Sequence, residues 1–302
     1  MIAVDWGTSS LRLYRLDAAG MVLERRRSDE GVLASAGRFG DVLARGIAGW
    51  DDPVVLLCGM VGGRGGWQEV PYLDCPAGIA ELADGMQQIQ PRGFDGRALW
   101  IMPGLRDAAG DGMPDVMRGE ETQLAALLDA LVVGSHLVCL PGTHSKWVNV
   151  RNGCIQRIAT AMTGEVYAVL RKHSILGRLM PAEDGRFDAF AFEAGLHRSG
   201  EEGGLLHHLF GVRTAGLFRQ VAEPALPSYL SGLLIGHELR GCGVFTQRPR
   251  PAQVHLVGND RLLGAYAHAL TALGIGVQRH PEDLAAHGLH ALWTRRTAAV
   301  AA

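Results

Sequence analysis

Asp5, Gly7, Thr8 and Ser9 stand between two apolar runs, Ile2–Trp6 and Leu11–Leu16. A carboxylate, backbone amides and hydroxyls are thus gathered at one tight hairpin. Magnesium-bound polyphosphate needs that mixture: an oxygen anchor for a hydrated metal, and donors for phosphate oxygens. A polar turn with no ligand fits the segment equally well when it is read alone, because Asp, Gly and Ser are common turn residues. A second stretch, Gly142-Thr143-His144-Ser145-Lys146, has the same character and adds a positive charge. Lys146 taken singly is compatible with an ordinary surface lysine; two such turns at matching places are harder to attribute to chance.

Glu120 and Glu121 open an apolar pattern at Leu124, Leu127, Leu128 and Leu131, the spacing of an amphipathic helix. Acids in a first helical turn oppose the helix dipole, which accounts for one of them. The two point about 100° apart, so one can cap the helix while the other faces a cleft and takes a proton from a substrate hydroxyl. The loop Gly59–Trp67 is rich in glycine and carries Arg64 and Trp67. A guanidinium there suits a substrate carboxylate, with the indole as a shield. A surface loop with a packed tryptophan fits as well. Gly258-Asn259-Asp260-Arg261, after the run Val254–Val257, is either a nucleotide-binding junction or a routine turn into a helix.

The elements that position these residues follow from periodicity. Ile2–Trp6, Leu11–Leu16 and Met21–Arg27 read as a meander of three strands. Val54–Cys58 reads as a buried strand, because it is apolar without alternation. Ala98–Met102 is a further strand. The meander recurs as Leu137–Leu140, Trp147–Val150 and Cys154–Ile158. Helices are expected at Glu165–Lys172, Leu226–Arg240 and after Asp260, then a strand Ile275–Gln278 and a helix Glu282–Trp293. Met180–Gly204 reads as surface loops with a short helix. Leu226–Arg240 suits the core, and a homodimer interface on it stays open.

The 302 residues suffice for two domains. A net charge of -2 with 20% charged residues speaks against a nucleic-acid binder held by phosphate contacts. Five scattered cysteines without C-x-x-C spacing suggest reduced thiols in the cytoplasm. Neither a signal-peptide pattern nor a membrane-length apolar run of about 20 residues is expected. G-x-x-x-x-G-K-[ST], G-x-G-x-x-G after a strand and H-E-x-x-H are all missing.

The strings DWGTSSLR, DVMRGEETQ, LPGTHSKWV and MTGE (Met162–Glu165) resemble the 2-dehydro-3-deoxygalactonokinase family, a sugar-acid kinase branch of the actin and hexokinase superfamily. The likeness runs through nearly the whole chain. Asp5–Ser10 and Leu140–Val150 resemble the two phosphate segments, and Leu256–Leu270 the adenosine segment. Gly119–Leu131 and Asp283–Leu292, with Gly288 near its centre, resemble the two connecting helices.

The resemblance implies an α/β fold of two ribonuclease H-like (actin-like ATPase) domains, each with a mixed five-stranded sheet, around a nucleotide cleft. Residues 1–118 would form the first and 119–280 the second, with a C-terminal helix in 281–302 returning to the first. It implies transfer of the ATP γ-phosphoryl group to the 6-hydroxyl of 2-dehydro-3-deoxy-D-galactonate, in galactonate catabolism. Asp5 would hold Mg²⁺, directly or through water. Gly7, Thr8, Ser9, Gly142, Thr143, His144 and Ser145 would grip phosphates, and Lys146 would neutralise charge. Glu120, or second Glu121, would act on the 6-hydroxyl. Arg64, Trp67 and Arg118 would hold the sugar acid, and Gly258, Asn259 and Leu262 the adenosine. Two rival readings are an exopolyphosphatase-like hydrolase, which needs a basic channel, and an actin-like scaffold without turnover, which has no use for paired acids facing a cleft.

Overall fold

The structure, a computed structural model, describes residues 1–108, 112–183, 185–281 and 283–301. The runs flanking the first turn form β1 (Ile2–Trp6) and β2 (Leu11–Leu16), antiparallel with Trp6 opposite Leu11, so Gly7–Ser10 is the turn. Then come β3 (Val22–Ser28), α1 (Val32–Ser35), α2 (Phe39–Gly46), β4 (Val54–Gly59), β5 (Tyr72–Asp74) and α3 (Ile79–Asp84). β6 (Gln87–Ile89), β7 (Ala98–Ile101), β8 (Gly104–Asp107), β9 (Asp115–Met117) and α4 (Glu120–Leu128) follow. The order β3-β2-β1-β4-β7-β6 makes one sheet, and β5-β8-β9 a small second one. β1, β4 and β7 run parallel, while β2, β3 and β6 join antiparallel. β4 is central, with Val55, Leu56, Leu57 and Cys58 fully buried, which is why its sequence does not alternate. The sheet has six strands rather than five, because the short polar β6 extends its edge.

β10 (Ser135–Leu140), β11 (Ser145–Arg151) and β12 (Cys154–Ala161) repeat the opening pattern. After α5 (Thr163–His173), α6 (Ala189–Arg198), α7 (Gly204–Leu217) and α8 (Leu226–Gly241) come β13 (Gln253–Val257), α9 (Asp260–Ala272), β14 (Gly276–His280) and α10 (Leu284–Ala301). The third sheet, β12-β11-β10-β13-β14, has the strand order of β3-β2-β1-β4-β7 in the first. By contact density the chain divides into two compact units. One holds Met1–Ser135, Asn149–Ile158 and the segment from Pro281 onward; the other holds His136–Val148 and Ala159–His280. α4 therefore lies in the first unit, although the sequence reading began the second domain at residue 119. The expected start of the last helix, Glu282, lies outside the described residues.

The segment from Met180 to Gly204 is less superficial than expected. It contains α6, whose Phe192 is fully buried and whose Gly195 packs on the α8 backbone at Tyr229. Glycines and exposed charges dilute the apolar spacing of α6 and hide its inner face. α8 itself is core, buried along most of its length. No helix among the described residues is long and apolar enough to cross a membrane.

In the first unit α10 crosses α4 at Gly288, where an added Cβ would lie 1.7 Å from the Thr122 carbonyl oxygen. Gly288→Val should lower stability by about 3 kcal/mol, since the obstacle is backbone and cannot rotate away. A urea midpoint equal to that of the wild type would contradict this close crossing.

Candidate active site

In the first unit the chemistry gathers where β1 and β4 end side by side, with Asp5 opposite Cys58 and Trp6 opposite Gly59. Asp5 is half-buried, and its Oδ2 lies 3.3 Å from Arg12 Nη1 on the neighbouring strand. Gly59 and Gly119 meet here with φ of +89° and +108°; an added Cβ on Gly119 would sit 3.2 Å from Gly59 Cα. This contact brings the start of α4 against the strand ends. Both residues need the left-handed half of backbone space, which favours glycine.

α4 separates its two acids. Glu121 is buried; its carboxylate accepts from the Gly119 N–H at 2.7 Å and from the Thr122 hydroxyl at 3.0 Å. Burial first, then repulsion from Glu120, pushes its pKa up to about 8. Glu120 is only half-buried, and its Oε2 accepts from the Arg118 N–H at 3.1 Å. The thiol of Cys58 is pushed up by burial and next by Asp5, Glu121 and Glu120, so all three carboxylates act on one buried point.

The Gly7–Ser10 turn is braced from both sides. Gly7 N–H donates to Ser10 O at 2.9 Å, and Val32 N–H donates to Gly7 O at 2.9 Å. The Gly7 amide is therefore spent within the turn, whereas Thr8 and Ser9 are exposed. Arg118 is 8% exposed, donates from Nη2 to Val70 O at 2.7 Å and lies 4.3 Å over the Tyr72 ring. Its Nε and Nη1 have no hydrogen-bond partner among the described residues. Buried guanidinium nitrogens left in that state are costly, so a ligand oxygen there is favoured. Arg64 is exposed. Trp67 is turned into the core instead, with ring centroids 6.4 Å from Trp6 and 6.1 Å from both Phe39 and Phe94.

In the second unit the turn after β10 borders a cavity of about 980 Å³. Gly142, Thr143, Gly164, Asn259 and Leu262 line it, so both expected nucleotide segments and the MTGE string share one wall system. The start of α5 is fastened to the turn, since Glu165 N–H donates to Thr143 O at 2.9 Å and His144 pairs with the Glu165 carboxylate. Asn259 caps α9 by accepting from Leu262 N–H at 3.1 Å, and Gly258 precedes it with φ of +151°.

Ser145 and Lys146 differ from Thr143 and His144 in direction. Ser145 is fully buried and its hydroxyl bonds the Tyr266 hydroxyl at 2.7 Å. Its side chain holds the turn down rather than presenting an oxygen to a ligand. Lys146 is 8% exposed and donates to the Thr160 hydroxyl at 2.9 Å. Sequence reasoning missed Glu238, which accepts from Trp147 Nε1 at 2.7 Å and from the Tyr266 hydroxyl at 2.6 Å. An acid between Ile235 and Leu239, in a mostly apolar helix, was the available signal.

Among the described residues no group of three or more His, Cys, Asp or Glu is arranged to hold a metal ion. The Asp5 carboxylate, near the exposed Thr8 and Ser9, suits Mg²⁺, which keeps waters and substrate phosphates as most of its ligands.

Two mixed sheets of one strand order, each with a glycine and hydroxyl turn after its first strand, define an α/β protein built on a repeated sheet. A family model described as 2-keto-3-deoxy-galactonokinase matches residues 5–292. A Rhizobium meliloti (strain 1021) protein described as a 2-dehydro-3-deoxygalactonokinase is 40% identical, over 93% of this chain and 92% of its own. The Escherichia coli (strain K12) 2-dehydro-3-deoxygalactonokinase is 35% identical, over 94% of each chain. A crystal structure from Sinorhizobium meliloti, described as of the same kind of kinase, superposes with a TM-score of 0.88 at 37% identity, covering 99% of this chain and 98% of the other. The chain belongs to the 2-keto-3-deoxy-galactonokinase family.

Proposed function

We propose that this protein is an ATP-dependent kinase for 2-dehydro-3-deoxy-D-galactonate, with ATP held by the second unit and the sugar acid by the first. The observation that carries the reading is the cavity of about 980 Å³ faced by both Gly142–Thr143 and Asn259–Leu262, a volume that suits a nucleotide. Thr143 and the α5 start receive phosphate oxygens, and Leu262 packs on the adenosine. Thr8 and Ser9 complete the phosphate grip. Lys146 adds positive charge, and Arg118 meets the acceptor carboxylate, drawn by its two unpartnered nitrogens.

The 6-hydroxyl oxygen of the sugar acid attacks the γ-phosphorus, the bond to the β,γ-bridging oxygen breaks, and ADP leaves. Glu120, whose carboxylate is within reach of solvent, takes the hydroxyl proton. Glu121 supports it by locking Gly119 and the helix start. Asp5 would hold Mg²⁺, directly or through water, and the bound ion would neutralise charge on the phosphates. A cytoplasmic location belongs to the same proposal, in keeping with five free cysteines.

The product identifies the reaction. Phosphorus NMR of protein, ATP, magnesium and 2-dehydro-3-deoxygalactonate should show a phosphate monoester coupled to the C6 protons. Inorganic phosphate as the sole new resonance would support the hydrolase reading and reject this one.

A further inference from the structure

We infer that Glu238 is a positioning residue for the ATP phosphates, acting through the Gly142–Lys146 turn. The inference rests on the placement of ATP in the second unit. One face of α8 lines the cavity through Ser228, Ser231, Leu234 and Ile235. Glu238 continues that face one turn further, three residues beyond Ile235 and four beyond Leu234, beneath the cavity rather than in it. It is 5% exposed, yet among the described residues its hydrogen bonds come from Trp147, Tyr266, Thr163 and Ser145, none of them basic.

Its partners are distributed around the turn. Trp147 Nε1 donates to Oε1 at 2.7 Å, and Tyr266 donates its hydroxyl to Oε2 at 2.6 Å. The Tyr266 hydroxyl in turn meets Ser145 Oγ at 2.7 Å. Thr163, the first residue of α5, bonds it as well. One carboxylate therefore ties the first residue of β11, the first turn of α5 and the middle of α9. These are the elements that present Thr143, Gly164 and Leu262 to the cavity.

A buried carboxylate is expensive unless several donors satisfy it. If stability alone were selected, an apolar side chain packed on Tyr266 would serve better. Glu238 instead fixes a loop whose backbone groups must meet phosphate oxygens to within about 0.5 Å. Misplacing that loop weakens ATP without touching the site for the sugar acid, which lies in the first unit.

The test is steady-state kinetics with both substrates varied, together with thermal melts. Glu238→Gln and Tyr266→Phe should each raise KM for ATP about tenfold or more and leave KM for the sugar acid within about twofold. Val212→Ala, a core change in α7 within a separate apolar cluster, should lower the melting temperature yet leave KM for ATP within about twofold. Unchanged KM for ATP in Tyr266→Phe or in folded Glu238→Gln overturns the inference. So does an equal rise in Val212→Ala, which would make the effect one of general instability. Leu262→Arg fills the cavity mouth: wild-type KM for ATP in that variant would reject the ATP placement itself. Loss of ATP affinity there, with Glu238→Gln unaffected, would reject only the role of Glu238.

Discussion

Asp5→Asn is expected to abolish turnover, with kcat falling about 10³-fold or more while the fold persists. Asn matches Asp in shape, so β1 and its register with β2 and β4 are preserved. What disappears is the negative charge at the end of β1. Arg12, 3.3 Å away on β2, then has no carboxylate there and makes the turn more positive. A purely structural role for Asp5 in pairing Arg12 would make a different variant equivalent: Arg12→Gln would mimic Asp5→Asn in urea midpoint and in kcat. Under the metal assignment, Asp5→Asn also raises the magnesium concentration needed for half-maximal rate. Wild-type kcat in Asp5→Asn would sink the assignment.

Glu120→Gln should lower kcat about 10²-fold or more and leave KM for ATP within about twofold. Glu121→Gln should do much less, because the Glu121 carboxyl already binds Gly119 N–H and the Thr122 hydroxyl inside the protein. The pH dependence separates them further. Burial raises the Glu121 pKa to about 8 from an ordinary 4.5. The folded state therefore holds this proton more tightly than the unfolded chain. The contribution to stability is fully present below about pH 4.5 and is lost as pH rises toward 8. Glu121→Gln removes that loss, so thermal melts should show it more stable than wild type at pH 8.5 than the same comparison shows at pH 5. A large fall in kcat for Glu121→Gln, with Glu120→Gln nearly wild type, would exchange the two roles.

Much of this was legible along the chain because it is local. The apolar runs around Gly7–Ser10 and Gly142–Lys146 declared two meanders, and the strand orders β3-β2-β1-β4-β7 and β12-β11-β10-β13-β14 repeat as those meanders imply. The 3.6-residue spacing after Glu120 marked α4, and the two acids at its start do face different surroundings. What stayed hidden is non-local. Ser145 sits in a turn of hydroxyls, and only Tyr266, 121 residues later, determines that it points inward. Glu238 looks like an exposed helix acid until Trp147, 91 residues earlier, and Tyr266, 28 later, close over it. Trp67 reads as a ligand shield until Trp6, Phe39 and Phe94 claim its ring. Arg118 gave no sign in sequence that its guanidinium is buried with two nitrogens unpartnered. In each case the burial of a polar or aromatic group depends on residues too distant for periodicity to register.

Transfer of a phosphoryl group to a sugar acid is what separates this enzyme from a plain ATPase. ADP release, followed in a coupled assay with ATP and magnesium, tests it most directly when the acceptor is varied among none, 2-dehydro-3-deoxygalactonate, its gluconate epimer and simple sugars. The rate with 2-dehydro-3-deoxygalactonate should stand about 10²-fold or more above the rate without acceptor, because the acceptor completes the site and excludes water. ADP formation indifferent to every sugar acid would contradict it.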